Sequence, residues 1–326
     1  MPSAFVTGGS GFIGGRLIER LRADGHEVRA LARSEDAAAR VRAHGAEPVP
    51  GDLADAAAIS AGATDCQWAF HAAAALGDWG EREEFERVNV DGTRTTVEAC
   101  AQAGVKRFVH VGTEAALLAG SPLVDVDETA PLRPDSPVLY SSTKARAEQL
   151  VLEANRDGFE TLVVRPRFVW GRGDTTLLPA MVEMVRAGRF AWIGGGRHRT
   201  SITHVENAVE GLVLAATRGT AGNAYFVTDG EPVVFREFVS ELLSTQEVQA
   251  PNRSIPAPLA GAVAIGGETA WRLLPLPGRP PVTRFAYWVS SQDCTIRIDK
   301  ARRDLGYEPV KSRSEGLAEL RADGAG

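Results

Sequence analysis

Tyr140 and Lys144 stand four residues apart in the run Y-S-S-T-K. That spacing places both side chains on one face of a helix. An ammonium beside a phenol favours the phenolate, so Lys144 is expected to hold Tyr140 below its ordinary pKa. A phenol tuned this way exchanges protons near neutral pH and serves as a general acid or base. Upstream, Gly112-Thr113-Glu114-Ala115 follows an apolar, strand-like run at 106–111. The Thr113 hydroxyl there can hydrogen-bond and orient the oxygen that takes the proton. A lone Tyr-x-x-x-Lys most often marks a surface helix, so the pair draws its weight from the elements around it.

The strongest of those elements opens the chain. Phe5, Val6 and Thr7 read as a strand that runs into F-V-T-G-G-S-G-F-I-G-G, and an amphipathic helix follows over Phe12–Ala23. Gly8, Gly11 and Gly14 give T-G-x-x-G-x-x-G, and Gly9, Gly11 and Gly14 give G-x-G-x-x-G. Strand, glycine turn and helix together make a dinucleotide site: glycines permit the tight turn, backbone approach to a pyrophosphate and close helix packing. The N–H groups at the helix start, around Phe12 and Ile13, then hold the anion. A second strand at 27–32 ends on Arg33, with no acid at its tip. An acid there would take the ribose 2′-hydroxyl of NAD, whereas an arginine suits the 2′-phosphate of NADP. NADP is therefore the expected cofactor, with NAD as the alternative.

Strands and helices alternate onward. A helix at 34–44 carries Ser34 as N-cap. A strand at 47–50 runs into Gly51-Asp52-Leu53, where Asp52 could accept from an adenine amino group or cap the helix at 54–61. The fourth strand, within 65–75, ends on His71-Ala72-Ala73-Ala74, small residues that let a cofactor pass closely, and His71 reads as a packed structural histidine. A long helix at 81–103, a strand at 106–111, the Tyr140 helix and a strand at 161–165 follow. The fold expected is α/β: a doubly wound parallel sheet with a smaller C-terminal substrate domain. Residues 1–170, with 202–228 returning, form the dinucleotide domain, and 171–201 with 229–326 form the other. The stretch 251–281 is Pro-, Gly- and Leu-rich and reads as an irregular apolar cover over the substrate.

Composition narrows the function classes. The chain has 326 residues, 44% of them hydrophobic, and a net charge of −6 with no basic block. Nucleic acid is not the expected partner. Cys66, Cys100 and Cys294 are scattered and odd in number, which fits a reducing cytoplasm and neither a disulfide framework nor a metal site. The longest apolar run, 258–267, is too short for a membrane span.

These motifs resemble the extended short-chain dehydrogenase/reductase superfamily: Thr7-Gly8-x-x-Gly11-x-x-Gly14, Gly51-Asp52-Leu53, His71-Ala72-Ala73, Asn89-Val90-Asp91-Gly92-Thr93, Tyr140-x-x-x-Lys144 and Arg165-Pro166 ahead of Gly171. They fall in family order. The runs 224–233, 281–284 and 299–309 resemble the 3β-hydroxysteroid dehydrogenases, and Arg33 resembles the dihydroflavonol-reductase-like branch. The resemblance implies Asp52 and Leu53 around adenine, Ala72 to Ala74 along the cofactor and Pro166 near the nicotinamide. It also implies that Lys144 binds the nicotinamide ribose, and that the chain is a homodimer built on the helices at 81–103 and 140–153. Two departures stand out. Gly112-Thr113 replaces the family's serine pair, and Thr113 keeps the hydroxyl. Glu114 matches the first acid of the Thr-Asp-Glu run of sugar-nucleotide dehydratases, but Ala115 replaces the second. Elimination needs an acid and a base. The expected function is thus ketone/secondary-alcohol oxidoreduction on an apolar, steroid-like or lipid-derived substrate. The alternatives are a sugar-nucleotide epimerase or dehydratase, whose phosphates could find Arg197, Arg199 or Arg272, and an NADPH-sensing module without turnover.

Overall fold

Alternation along the first strand sets the architecture. Phe5 faces one apolar cluster and Val6 the other, and the same holds for Phe108 and Val109 and for Val163 and Leu162. Strands apolar on both faces need helices on both sides. The computed structural model, which describes residues 2–274 and 276–324, shows that arrangement. Seven parallel strands lie in the order Asn223–Val227, Glu160–Pro166, Arg107–Val111, Trp68–His71, Ala4–Thr7, Val28–Ala32, Glu47–Pro50. The order reverses beside Ala4–Thr7, and the crevice at such a switch point is where open α/β sheets bind ligands.

The local signals act as their residue types dictate. Ser34 caps its helix, accepting from the Ala37 N–H at 3.2 Å. Asp55, not Asp52, caps Ala56–Ala63; Asp52 instead accepts from the Ala54 N–H at 2.8 Å and closes a tight turn. His71 is fully buried and structural. The Thr93 hydroxyl donates to the Asn89 carbonyl, so it accepts from His71 Nε2 at 2.9 Å, and Thr7 donates to His71 Nδ1 at 2.7 Å. Burial drops the His71 pKa to about 3, so the ring is neutral.

Three expectations need correction. The helix foreseen at 81–103 is Arg82–Phe85, a π-helical stretch Glu86–Asp91, and Gly92–Gln102. The stretch 251–281 is not irregular: Ala257–Leu273 is a helix started by the Pro256-Ala257-Pro258 run, because proline suits a first helical turn, and its Gly261 lets Tyr287 pack close. Leu123–Val126 lies inside 1–170, yet it pairs with Cys294–Ile296 in a second, four-stranded sheet with Arg199–Thr200 and Val233–Val234. Beside that sheet Phe235–Ser244 buries Phe238 and Leu242 against Trp170 and Trp192. Among the described residues no helix is long and apolar enough to cross a membrane.

One buried pair fixes the Tyr140 helix to the sheet. Glu148, on the helix Leu139–Glu153, accepts from Arg165 Nε, at 2.9 and 3.1 Å from its two oxygens, and from one of its terminal nitrogens. Arg165 also stacks on Phe226 at 5.1 Å. Removing one partner leaves a buried charge alone. Glu148→Ala is therefore expected to cost about 3–5 kcal/mol in chemical denaturation, and Glu148→Leu with Arg165→Met should restore most of it. An unchanged unfolding midpoint in Glu148→Ala would show that the pair does not hold the helix.

Candidate active site

The strand Arg107–Val111 ends at Gly112, whose N–H donates to the Val164 carbonyl at 2.8 Å. The chain then turns sharply. Thr113, in extended conformation, caps the one-turn 3-10 helix Glu114–Leu117 by accepting from the Ala115 N–H at 3.1 Å. Its single hydroxyl hydrogen goes to Glu114 Oε2 at 2.9 Å. Glu114 is buried, and its other oxygen binds the Arg167 guanidinium. Arg167 is itself buried, donates from Nε to Thr200 at 2.9 Å and lies beside Cys294. The strand end Arg165-Pro166-Arg167 thus sends one arginine to the Tyr140 helix and the next to the Thr113 turn.

The helix Leu139–Glu153 packs along that turn and carries Tyr140 and Lys144 on one face. The Tyr140 ring meets Phe285 edge-on at 5.6 Å. Its pKa moves opposite to the sequence expectation. Burial raises it first and the Glu114 carboxylate raises it further, while Thr113 pulls it down. Lys144 is not what tunes the phenol. Its ammonium donates to the Val111 carbonyl at 2.8 Å and to His110 Nε2 at 3.0 Å. An ammonium only donates, so Nε2 accepts and the His110 proton sits on Nδ1. His110 stays neutral, pushed well down by burial and by Lys144. Burial also pulls Lys144 down to about 8.

The glycine turn meets its chemical requirement. Gly8 has φ +74°, and a Cβ there would stand 2.6 Å from the Ala72 carbonyl carbon and the Ala73 nitrogen. A Cβ on Gly14 would strike the Gly8 carbonyl oxygen at 2.2 Å. Gly14 is therefore required for packing of helix on turn, and Gly8 for close approach to the neighbouring loop. The helix Phe12–Ala23 starts at Gly11 without a side-chain cap and without an acid in its first turn. Its first N–H groups, Phe12 and Ile13 among them, suit a pyrophosphate. The loop after His71 is pinned by Asn89, which accepts from the Ala75 N–H at 2.7 Å and donates to the Ala75 carbonyl at 3.2 Å and to Thr143 at 3.1 Å. This holds Ala72, Ala73 and Ala74 along the mouth of the crevice. On its other side the Gly51 N–H donates to the Ala32 carbonyl at 3.2 Å, joining the Gly51-Asp52-Leu53 turn to the end of the strand that precedes the exposed Arg33. Pro166 ends its strand fully inside, paired in register with Val227.

Arg167, His110 and the bonding of Glu114 are absent from the sequence reading. A signal for the first did exist: two arginines flanking a proline at the end of a strand buried on both faces must find acids, because a buried guanidinium is not left unpaired.

Comparison with known proteins agrees with this geometry. The profile of the 3-beta hydroxysteroid dehydrogenase/isomerase family matches residues 5–257. The chain is 47% identical to a 4-hydroxy-2-methyl-3-oxo-4-farnesyl-3,4-dihydroquinoline-1-oxide ketoreductase of Stigmatella aurantiaca, over 98% of this chain and 96% of that one. It is 36% identical to a 2-alkyl-3-oxoalkanoate reductase of Stenotrophomonas maltophilia, over 98% of each. In fold it is similar to DesIV, a dTDP-glucose 4,6-dehydratase of Streptomyces venezuelae solved with NAD, at TM-score 0.76 and 24% identity, covering 98% of this chain and 96% of that one. The chain belongs to the 3-beta hydroxysteroid dehydrogenase/isomerase family and is a nicotinamide-dependent dehydrogenase/reductase of the extended short-chain type.

Proposed function

We propose that this enzyme works as an NADPH-dependent reductase of a ketone carried on a long apolar skeleton, of the prenylated or alkyl-chain kind that its relatives' names describe. The observation that carries this reading is geometric: the Thr113 turn, held by Glu114 and Arg167, packs along the helix whose one face carries Tyr140 and Lys144. Burial and the neighbouring carboxylate keep the phenol protonated, and a protonated phenol is the donor a ketone needs when it becomes an alcohol. Nicotinamide, when bound, supplies the hydride. Tyr140 gives its proton to the substrate oxygen. Thr113 stands ready to turn its hydroxyl hydrogen from Glu114 to that oxygen as charge develops there, and Arg167 weakens the hold of Glu114 on it by neutralising the carboxylate. Glu114 is a positioning residue in this scheme. Lys144, fixed by His110 and the Val111 carbonyl, binds the nicotinamide ribose.

The nucleotide-sugar alternative is not favoured. Its second acid is Ala115, and Glu114 is bound to Arg167 and not free to move protons on a substrate. We further propose a cytoplasmic homodimer built on Gly92–Gln102 and Leu139–Glu153, and a preference for NADP based on Arg33.

NADPH consumption with 2-alkyl-3-oxoalkanoates and with nucleotide sugars tests the reading: turnover of the first class supports it, and turnover of the second alone contradicts it. Tyr140→Phe should lose about 10²- to 10⁴-fold in kcat while NADPH affinity is kept; a fully active variant would end the mechanism. Arg33→Ala should weaken NADPH binding about 10- to 100-fold and leave NADH unchanged. Equal NADPH and NADH affinities in the parent enzyme would remove the assignment.

The pH profile follows from Lys144. Its folded pKa is depressed to about 8, so the working ammonium is present below that pH and is lost as pH rises through it. Ketone reduction should be level below the midpoint and fall about tenfold per pH unit above it. Lys144→Arg, always charged, should abolish that limb. A limb that survives in Lys144→Arg would assign it to another group.

A further inference from the structure

The loop that follows the row of alanines is tied to the far part of the chain. Both of its ends are fixed on the dinucleotide side. Asn89 holds Ala75 through its N–H at 2.7 Å and its carbonyl at 3.2 Å. A Cβ on Gly80 would stand 3.0 Å from the Phe85 ring. Between them Gly77 turns the chain at φ +135°, a conformation that favours glycine. The tip, Asp78-Trp79, makes three contacts with residues 272–283. Asp78 accepts from the Thr283 hydroxyl at 2.9 Å and pairs with Arg279 at 3.5 Å, and the Arg272 guanidinium lies over the Trp79 ring at 5.6 Å.

Thr283 gives the first of these contacts its weight. It is buried, and it caps the helix Arg284–Ser291 by accepting from the Ala286 N–H at 3.0 Å. The cap uses a lone pair of the hydroxyl, and its single hydrogen goes to Asp78. Glu268, from the helix Ala257–Leu273, accepts from the Arg284 N–H at 2.6 Å. Two carboxylates thus serve the start of one helix, where its dipole favours negative charge. That helix walls the catalytic residues. Phe285, two residues past the cap, meets the Tyr140 ring edge-on at 5.6 Å. Trp288 is buried in one cluster with Ala115, Leu118 and Val138, and Gln292 donates to the Gly120 carbonyl at 3.0 Å. The far end of the helix is therefore held by packing on the Thr113 turn, and the end that carries Phe285 by hydrogen bonds to two acids.

We propose that Asp78 is a positioning residue for the reaction: through Thr283 it seats the helix Arg284–Ser291 so that Phe285 closes on Tyr140, and it thereby ties the loop beside the cofactor crevice to the wall of the substrate site. An edge-on aromatic contact has a preferred geometry, so the place of the cap decides how the ring meets the phenol. With the latch broken, the start of the helix spends part of its time unseated, and a ketone must reseat it on binding. The apparent ketone affinity then falls by the seated fraction, while the chemical step in the bound complex is kept. The glycine turn and the Asn89 anchor are untouched by that change, so NADPH affinity is kept as well.

NMR of the full chain with labelled tyrosine and no ligand reads the seat directly. Tyr140→Phe assigns the Tyr140 signal, and Phe285→Leu marks its position without the neighbouring ring. Asp78→Ala should carry the signal most of the way to that mark, and Thr283→Val should do the same. Because the two act through one hydrogen bond, the double variant should go no further than either single one. Asp78→Asn should recover most of the parent position, since an amide oxygen still accepts from Thr283. In turnover, Asp78→Ala should raise the ketone KM about 5- to 30-fold, the reach of one charge-assisted hydrogen bond partly shared with solvent, with kcat and NADPH affinity kept. That arm rests on the proposed substrate class, and the tyrosine signal does not: a shifted signal in an enzyme that turns over no ketone upholds the latch and overturns the substrate. The proposal is overturned if the Tyr140 signal stays at the parent position in Asp78→Ala, or if the effects of Asp78→Ala and Thr283→Val add in full. It is also overturned if NADPH affinity falls as far as ketone affinity, which would make Asp78 a support of the cofactor loop alone.

Discussion

Two buried arginine–carboxylate pairs issue from one strand end, and the rest of the site depends on them. Arg165 and Arg167 flank Pro166 and reach Glu148 and Glu114. A buried pair of this kind is a poor source of net stability, since desolvation offsets the attraction, but breaking one is costly. Its value is geometric. Arg165 grips Glu148 through two nitrogens, and Arg167 is aimed at Glu114 by its second bond to Thr200, so each pair fixes orientation as well as distance. One pair sets the helix that carries Tyr140 and Lys144, the other sets the turn that carries Thr113, and the strand between them keeps the two in step.

The same pairs shape the proton chemistry. Glu114 is close enough to raise the Tyr140 pKa, and Arg167 keeps that carboxylate occupied. The Lys144 ammonium is engaged by His110 and the Val111 carbonyl. The result is a proton kept on Tyr140, while His110 stays neutral and burial brings Lys144 down to about 8. Such a site is poised for carbonyl reduction: it offers the proton and keeps a cation for the ribose. Asn89 does the parallel work at the other wall, closing the loop of alanines against Thr143 on the catalytic helix. One hydrogen-bond network therefore reaches from the glycine turn, through Thr7, His71 and Thr93, to the helix of Tyr140.

Much of this was legible in the sequence because the signals were local. The glycine turn, the sheet's strand–helix alternation and the Tyr140/Lys144 spacing each depend on residues within one turn of one another. What was not legible depends on partners far apart in the chain. Lys144 looked like the tuner of Tyr140 because they are neighbours on a helix, yet the ammonium finds its bonds 33 and 34 residues away. Glu114 looked like half of an elimination pair until Arg167, 53 residues on, claimed it. Asp52 was read as a cap for a helix starting at 54, but the helix starts at Ala56 and the cap falls to Asp55. The helix Ala257–Leu273 was hidden by its own prolines and glycines, which read as breakers although two of them serve as helix start and close contact.

The protonation state of Tyr140 in the free enzyme is the point on which this account turns, and it can be measured directly. The chain has four tyrosines, Tyr140, Tyr225, Tyr287 and Tyr307, so NMR of isotope-labelled tyrosine gives few signals, and Tyr140→Phe assigns the one that matters. The account predicts that the Tyr140 signal does not titrate anywhere below about pH 10, the ordinary phenol value, and that in Glu114→Gln its midpoint moves down. A Tyr140 that titrates near neutral pH in the parent enzyme would contradict it and return the tuning of the phenol to Lys144.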